Sequence, residues 1–187
     1  MAKFYYRYSA MNSGKSSSLL QTAHNYIELE HDVLLFTSGL DNRYGTGKIT
    51  SRIGIMKEAT IINPGDYTVL ENAVLEIQEN PNIKAVFVDE CQFLDEKQID
   101  ILSDMVDYHD VTVFCYGIRT DFQGKLFSGS ERLFEIADCI EELRNICSCG
   151  RKAIMNARMV QSTDKVLIGG NDVYKSMCRK CFKKHNG

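Results

Sequence analysis

Residues 3–23 read KFYYRYSAMNSGKSSSLLQTA. Residues 3–8 are rich in aromatic side chains, which favours an extended strand, and apolar residues recur at helical spacing from residue 19 onward. Between these two patterns, residues 9–16 fit the phosphate-loop pattern G-x-x-x-x-G-K-[ST], with serine in place of the first glycine. Backbone N–H groups at such a helix start face phosphate oxygens, and the helix dipole favours the anion. The stretch therefore predicts a strand, a phosphate-binding loop and a helix, in that order.

Two side chains of this loop have a defined chemistry in the pattern. Lys15 would reach the β- and γ-phosphates of a nucleotide, and the Ser16 hydroxyl would hold Mg²⁺. The rest of the predicted ATP site is the preceding part of the loop, which comprises Ser9, Ala10, Met11, Asn12, Ser13 and Gly14. The alternative interpretation is a chance GKS at a helix start, where serine and glycine are common.

A second motif follows in residues 83–93, IKAVFVDECQF. Its apolar part favours a buried strand, and Asp89 and Glu90 follow at the carboxyl end of that strand. Open α/β sheets bind ligands at this edge, and phosphate-loop enzymes place a Mg²⁺-binding carboxylate there. We therefore expect Asp89 to hold the metal and Glu90 to act as a general base toward an attacking oxygen. The alternative is an acidic pair that caps the following helix.

Strand patterns alternate with helical patterns along the chain, which predicts an α/β fold with a mostly parallel sheet flanked by helices. Further strands are predicted at residues 33–37, 56–62, 111–116 and 140–146. Further helices are predicted around residues 69–77, 99–106 and 133–137, and glycine-rich loops at 38–54 and 117–130. Because the pattern changes near residue 146, we predict a nucleotide-binding domain at 1–142 and a small subdomain at 143–187 that needs its own staple.

Four of the seven cysteines form two close pairs, Cys147 with Cys149 and Cys178 with Cys181, separated by 28 residues. This spacing predicts a four-cysteine structural zinc site, with C-x-C in place of the more usual C-x₂-C in the first pair. The alternative is four unrelated core or surface cysteines. An odd cysteine count argues against a disulfide framework.

The chain carries 25 acidic and 22 basic side chains, which gives a net charge of −3. A broad grip on nucleic acid needs a basic surface, so we expect no nucleic-acid partner. We also expect no membrane span, because no run of about 18 apolar residues is present, and no signal peptide, because the N-terminus lacks an apolar region. These features predict a cytoplasmic protein.

Five segments in order resemble the cellular-type (type II) thymidine kinases, and the resemblance to a bacterial member covers nearly the whole chain. Residues 9–16 resemble the family's loop G-P-M-F-S-G-K-[ST], and residues 89–93 fit its acidic motif D-E-[AGC]-Q-F. Residues 41–43, DNR, resemble its D-x-R loop, and residues 116–127 resemble its deoxynucleoside-pocket segment. Residues 168–174, followed by the second cysteine pair, resemble the lasso-like loop that closes over thymine.

The resemblance implies a RecA-like fold with a zinc-stapled lasso subdomain, and the reaction ATP + thymidine → ADP + dTMP. Glu90 would remove the proton from the 5′-hydroxyl, while Lys15, Arg43 and Mg²⁺ would neutralise charge on the transferred phosphoryl group. Asp41 would lie near the Mg²⁺ ligands. The thymidine pocket would comprise Met11, Ile118, Phe122, Phe127, Gly169, Gly170 and Tyr174. The resemblance also implies a homotetramer, feedback inhibition by dTTP, and deoxyuridine as a second substrate.

Three hypotheses from different classes remain at this point. A nucleoside kinase should consume ATP only when a nucleoside is present. A single-domain phosphate-loop ATPase should hydrolyse ATP without one, and a strand that ends in DECQ also resembles the acidic box of helicases. A zinc-ribbon binding module with a vestigial nucleotide site should bind zinc and nucleic acid without turnover.

Overall fold

The computed structural model describes residues 1–40, 46–161, 167, 169–170 and 172–186. In chain order the strands are β1 Phe4–Ser9, β2 Asp32–Ser38, β3 Lys48–Thr50, β4 Met56–Glu58, β5 Thr60–Ile62, β6 Ile83–Asp89, β7 Thr112–Ile118, β8 Cys139–Glu142, β9 Met155–Arg158 and β10 Tyr174–Met177. The helices are α1 Lys15–Glu28, α2 Thr68–Glu79, α3 Glu96–His109, α4 Ser128–Ile136 and α5 Arg179–Asn186. A short 3₁₀ turn, Cys91–Phe93, follows β6.

Six strands form one central sheet in the order β5-β2-β6-β7-β1-β8. Every neighbouring pair of strands in this sheet is parallel. The predicted α/β fold with a mostly parallel sheet flanked by helices is therefore confirmed. Because parallel strands end at the same edge, β1, β6 and β7 bring Ser9, Asp89 and Ile118 to one side of the sheet.

Alternate residues of the central strands pack on opposite faces of the sheet, as the pleat requires. On β6, Val86 and Val88 belong to the large apolar cluster formed with α2, α3 and α4. Ala85 and Phe87 belong to a second cluster beneath α1, where the ring of Phe87 stacks on Phe114 with centroids 4.9 Å apart. The sheet is thus held between two apolar layers, and this position fixes the loops at its carboxyl edge.

Helix α3 begins with a capping box. Asp95 Oδ1 accepts a hydrogen bond from Gln98 N at 2.9 Å, and Gln98 Oε1 accepts one from Asp95 N at 3.0 Å. This pair satisfies two backbone N–H groups that the first turn of a helix leaves without partners. The acidic pair at residues 89–90 therefore does not cap this helix, which removes the alternative interpretation of that pair.

The prediction of one strand at residues 56–62 is wrong, because β4 and β5 belong to different sheets. Strand β4 pairs antiparallel with β3 in a hairpin, whereas β5 pairs parallel with β2 in the central sheet. Ala59 lies between them, and its N–H donates to Gly47 O at 3.0 Å. The hairpin begins inside the predicted loop 38–54, where Ile49 is buried in the cluster beneath α1.

Two further boundaries differ from the predicted ones. Helix α4 begins at Ser128, within the predicted loop 117–130, and β8 ends at Glu142 instead of residue 146. A Cβ atom on Gly129 would lie 2.6 Å from Cys91 O and 2.7 Å from Leu94 O. The serine and glycine residues that indicated a loop therefore allow the first turn of α4 to pack closely on the 3₁₀ turn.

The C-terminal segment adds a small antiparallel pair, β9 with β10, and helix α5. A third apolar cluster holds these elements together and includes Cys147, Cys178 and Phe182. The central sheet ends at Glu142, and a division of the chain into 1–142 and 143–187 stays a prediction. Among the helices that the structure describes, none is long and apolar enough to cross a membrane.

Candidate functional site

The predicted phosphate loop turns between the end of β1 and the start of α1. Asn12 and Gly14 have left-handed backbone conformations, with φ values of 66° and 80°. Glycine adopts this conformation without strain, whereas asparagine tolerates it better than most residues. Ser9, which replaces the first glycine of the pattern, is the last residue of β1 and does not have a positive φ. The serine is therefore compatible with the loop conformation.

Lys15, the first residue of α1, points back into this loop. Its side chain is buried, and Nζ lies 3.3 Å from Ser9 Oγ and 3.4 Å from Ala10 O. Ser9 Oγ also forms a short hydrogen bond with Ser13 Oγ. The Ser9 hydroxyl thus joins two positions of the loop and offers an oxygen to the ammonium group.

Ser16 and Asp89 meet across the edge of the sheet. Ser16 Oγ donates a hydrogen bond of 2.8 Å to Asp89 Oδ2, and Asp89 is almost fully buried. Burial raises the pKa of Asp89 to about 7, and the nearby charge of Glu90 adds to this rise. A divalent cation beside the carboxylate would favour its charged form. A hydroxyl and a carboxylate at hydrogen-bond distance are a fitting pair of oxygen ligands for Mg²⁺.

Glu90 has a left-handed backbone with φ of 54°, which is uncommon for a residue with a side chain. Its carboxylate Oε2 accepts a hydrogen bond of 2.6 Å from Gln92 Nε2. Gln92 is buried, and its Oε1 accepts a hydrogen bond of 3.1 Å from Ile118 N at the end of β7. Gln92 therefore holds the carboxylate of Glu90 against the sheet edge, a role that the sequence patterns did not assign to it.

One cavity of about 280 Å³ lies above this edge. Of the residues predicted for the site, it is lined by Met11, Asn12, Ser13, Gly14, Lys15, Ser16, Glu90, Ile118, Phe122, Phe127, Gly169 and Tyr174. Ser9, Ala10, Asp89 and Gly170 do not line it, although the first three lie directly beside its lining in the loop and at the end of β6. Asp41 and Arg43, as well as Ile168 of the predicted lasso, lie outside the described residues.

Aromatic side chains form one wall of the cavity. Phe127 packs edge-on against Phe93, with ring centroids 5.7 Å apart. The guanidinium carbon of Arg158 lies 3.7 Å from the centroid of the Phe122 ring, and Arg158 Nη2 donates to Tyr174 Oη at 3.0 Å. Arg158 is buried and was not predicted from the sequence. It fixes two aromatic rings that come from distant parts of the chain.

Further residues line the cavity without having been assigned to the site from the sequence. They are Ser17, Thr50, Ser51, Arg52, Ile53, Gln92, Phe93, Thr120, Asp121, Asn156 and Leu167. Residues 50–53 belong to the β3–β4 hairpin, although the glycine content of residues 38–54 predicts a loop there. Thr120 and Asp121 lie within the segment 116–127 that was assigned to the pocket, so the resemblance was the available signal for them.

The four cysteines of the two predicted pairs come together in the structure. The sulfur atoms of Cys147, Cys149, Cys178 and Cys181 all lie within 4.8 Å of one another. A tetrahedral zinc with Zn–S distances of about 2.3 Å places its sulfurs about 3.8 Å apart, so the cluster could hold zinc. Backbone N–H groups of Cys149 and Cys178 lower the pKa of Cys147 to about 6, whereas the other three thiols raise that of Cys181 to about 12. A zinc ion between the four sulfur atoms would favour their thiolate forms.

Together, the N–H groups of the loop, an ammonium group, two carboxylates and an aromatic pocket provide what transfer of a phosphoryl group to an organic hydroxyl requires. The loop and Lys15 could bind phosphate oxygens. Ser16 and Asp89 could bind a metal ion, and Glu90 could accept a proton. A pocket with an apolar aromatic wall favours binding of a flat organic ring over occupation by water.

Comparison with known proteins shows which family this chain resembles. The family model described as thymidine kinase matches residues 2–182. The thymidine kinase of Shewanella oneidensis is 47% identical over an alignment of 190 positions, which covers 98% of this chain and 98% of its own. That of Vibrio cholerae is 45% identical over 100% of this chain and 100% of its own. That of Yersinia pestis is 45% identical over 98% of this chain and 96% of its own. A solved structure of the Pif1 helicase from Candida albicans covers 76% of this chain and 36% of its own with a TM-score of 0.41 at 14% identity, too low to indicate a common function.

Proposed function

Since this chain belongs to the thymidine kinase family, we propose that it transfers the γ-phosphoryl group of ATP to the 5′-hydroxyl of thymidine, giving dTMP and ADP. Its function as an ATP-dependent thymidine kinase follows from the family. The observation that carries the detailed reaction is that one cavity joins the loop at residues 11–16, the carboxylate of Glu90 and an aromatic wall. Deoxyuridine differs from thymidine only by a methyl group, so we include it as a second substrate.

ATP would bind with its β- and γ-phosphates against the N–H groups of the loop. Lys15 Nζ would exchange its contacts with Ser9 and Ala10 for the γ-phosphate oxygens, which carry charge in the transition state. Ser16 and Asp89 would hold Mg²⁺, which would supply positive charge near the phosphate groups. By the family resemblance, Arg43 and Asp41 are also proposed to contribute to the phosphate and metal contacts.

Glu90 would act on the acceptor side of the reaction. One carboxylate oxygen takes the proton of the 5′-hydroxyl as the 5′-oxygen bonds to the γ-phosphorus and the bond to the bridging oxygen of ADP breaks. The hydrogen bond from Gln92 Nε2 to Oε2 orients this carboxylate at the cavity that Glu90 lines. Positioning of the two reactants accounts for a large part of the rate, because little covalent chemistry is asked of the protein.

Thymidine would place its base against the aromatic wall. Ile118, Phe122, Phe127 and Tyr174 provide apolar and aromatic surface, and Met11 approaches from the loop. Backbone groups near Gly169 and Gly170 would bind the polar edge of the base. A closed pocket of this kind excludes water and so limits hydrolysis of ATP.

The reaction is tested with purified protein and Mg-ATP, with and without thymidine, by measuring ADP and dTMP. ADP that appears only with thymidine, in an amount equal to dTMP, is the expected result. ADP that appears equally without thymidine would identify an ATPase and would remove the assignment of the aromatic pocket. Zinc and nucleic-acid binding without turnover would instead favour a binding module.

Phe122→Ala is expected to raise the KM for thymidine about tenfold or more, because stacking of a base on an aromatic ring contributes about 1–3 kcal/mol. The KM for ATP should stay within about twofold of the unchanged enzyme, since the proposal assigns Phe122 to the base and the loop to the phosphates. Steady-state kinetics with each substrate varied in turn measure both constants. Tyr108→Ala removes an exposed ring on α3 and should change neither. An equal rise in both KM values would contradict the assignment of Phe122 to the base.

We propose that the cysteine cluster holds one structural zinc ion. Freshly purified protein should contain about one zinc per chain, and less than half an equivalent would contradict the proposal. Cys178→Ser is expected to lose the metal and to lower the melting temperature by about 10 °C or more, since loss of a structural metal is strongly destabilising. Cys139→Ser, at a half-buried cysteine outside the cluster, should retain the zinc.

The family resemblance also implies feedback inhibition and an oligomeric state. We propose feedback inhibition by dTTP, whose base would occupy the aromatic pocket while its phosphates reach the loop, since both line one cavity. Inhibition should then be competitive with thymidine.

We also propose a homotetramer. Light scattering of the purified protein measures the mass of the oligomer directly. Exposed apolar side chains on the β3–β4 hairpin, Ile53, Ile55 and Met56, support an association of subunits.

A further inference from the structure

The backbone of Met11, in the middle of the phosphate loop, is held by side chains from the C-terminal segment. Its N–H donates to Asn156 Oδ1 at 2.8 Å. Its carbonyl oxygen accepts two hydrogen bonds, one from Asn145 Nδ2 at 2.6 Å and one from Ser176 Oγ at 2.5 Å. The donor and the acceptor of this peptide residue are thus both bound by residues more than a hundred positions away.

These three side chains belong to the unit that surrounds the four cysteines. Asn145 precedes Cys147 by two residues, and Ser176 precedes Cys178 by two residues. Asn156 lies on β9 directly opposite Ser176 on β10. The same unit is closed by backbone hydrogen bonds from Ala153 N to Asn145 O at 2.8 Å and from Ile154 N to Met177 O at 3.0 Å.

Met11 is next to the part of the loop that has left-handed backbone conformations. Asn12 follows Met11 with a φ of 66°, and Gly14 follows with a φ of 80°. A residue with a side chain persists in such a conformation only when its surroundings determine it. Phosphate binding by backbone N–H groups gains affinity when the loop already has its bound conformation, because no ordering cost is then paid on binding.

We propose that Asn145, Asn156 and Ser176 are positioning residues for ATP, which fix the phosphate loop through the backbone of Met11. The affinity for nucleotide is then set in part by the cysteine-centred segment and not by the loop sequence alone. Strand β10 also carries Tyr174 at the cavity wall, so one short strand touches both the base pocket and the phosphate loop. This inference rests on the proposed assignment of residues 9–16 to ATP phosphates.

Asn145→Ala and Ser176→Ala, singly and together, test the proposal by calorimetric titration with Mg-ADP in the absence of thymidine. Each single variant keeps one donor to Met11 O and is expected to weaken ADP binding about threefold. The double variant leaves this oxygen without either donor and should weaken binding about tenfold or more. Steady-state kinetics should show a raised KM for ATP and a smaller rise in the KM for thymidine, whose proposed pocket Met11 also lines.

Two further variants separate positioning from general stability. Ser176→Thr keeps the hydroxyl and should restore most of the affinity for ADP. Ser148→Ala alters an exposed serine between two of the cysteines and should leave ADP binding unchanged. Zinc content, measured without nucleotide, should be the same in all variants, and the melting temperature of the double variant should fall by no more than about 10 °C.

The outcomes are distinguishable. A folded, zinc-containing double variant that binds Mg-ADP as tightly as the unchanged protein would overturn the inference while leaving the proposed reaction intact. Equal losses of ADP and thymidine binding, accompanied by loss of zinc, would show a purely structural role and would also overturn it. Absence of Mg-ADP binding in the unchanged protein would overturn both the phosphate-loop assignment and the inference that depends on it.

Discussion

Replacement of Glu90 by glutamine is expected to lower kcat for dTMP formation about 10³-fold, with little change in the affinity for ATP. The amide cannot accept the proton of the 5′-hydroxyl, and positioned general bases contribute roughly 10²–10⁴-fold to rate. Glutamine keeps a carbonyl oxygen that can accept the hydrogen bond from Gln92 Nε2, so the local structure is retained. Asp89 also loses a neighbouring charge that helps to raise its pKa, so the metal ligand is not weakened.

Single-turnover kinetics with saturating Mg-ATP and thymidine measure this loss directly, and titration with Mg-ADP measures nucleotide binding. Glu79→Gln, at an exposed position near the end of α2, is the matched control and should retain full activity. A variant at Glu90 that retains more than about a tenth of the rate would show that another group or the solvent takes the proton.

Replacement of Lys15 by methionine is expected to lower kcat/KM for ATP about 10²–10³-fold. Loss of one group that stabilises transition-state charge has an effect of this size in other enzymes. Methionine has a similar length and no charge, so the buried position stays filled while the interaction with the γ-phosphate is lost. Both KM for ATP and kcat should change, because the ammonium group contacts phosphate before and during transfer.

Lys3→Met is the control for Lys15, since Lys3 is exposed and precedes β1. Circular dichroism should show the same fold for both variants. Wild-type kcat/KM in Lys15→Met would remove the lysine from the reaction and would leave the loop as a binding surface made of backbone groups alone.

The elements that local patterns specify were predicted well, because their signals lie within a few neighbouring residues. Alternating apolar residues of β6 pack on two faces, and the helix after the loop begins at Lys15 directly after Gly14. The residues of the loop from Met11 to Ser16 line the cavity together with Glu90, as their two motifs at one sheet edge require. The roles of these residues remain a proposal until they are tested.

The β3–β4 hairpin was missed because its pairing depends on tertiary contacts. Residues 56–62 have one extended pattern, yet the chain changes sheet at Ala59 and continues along β2. Glycine and serine at 128–130 indicate a loop by composition, but Gly129 is needed where α4 touches backbone oxygens of the 3₁₀ turn. In both places packing overrides a local preference, which periodicity alone does not reveal.

Site residues that act through distant partners were also missed. Arg158 contacts both Phe122 and Tyr174, although neither ring is near it in sequence. The pairing of β9 with β10 brings Tyr174 opposite Arg158. Asn156 has no local pattern that marks it, and its amide meets Met11 only after the whole chain has folded. Composition and spacing describe neighbours along the chain, so contacts over such separations need the topology first.

The order of strands has a consequence for synthesis on the ribosome. Strand β1 is made first, but its partners in the sheet are β7 and β8, which end at residues 118 and 142. Early in translation the first strand therefore has no native neighbour in the sheet. Its aromatic side chains, at residues 4–6 and 8, are then exposed and can bind chaperones. The proposed phosphate loop that follows it gains its hydrogen bond from Ser176 later still, when residue 176 has left the exit tunnel. A nascent chain halted near residue 140 should therefore carry the loop sequence without binding ATP.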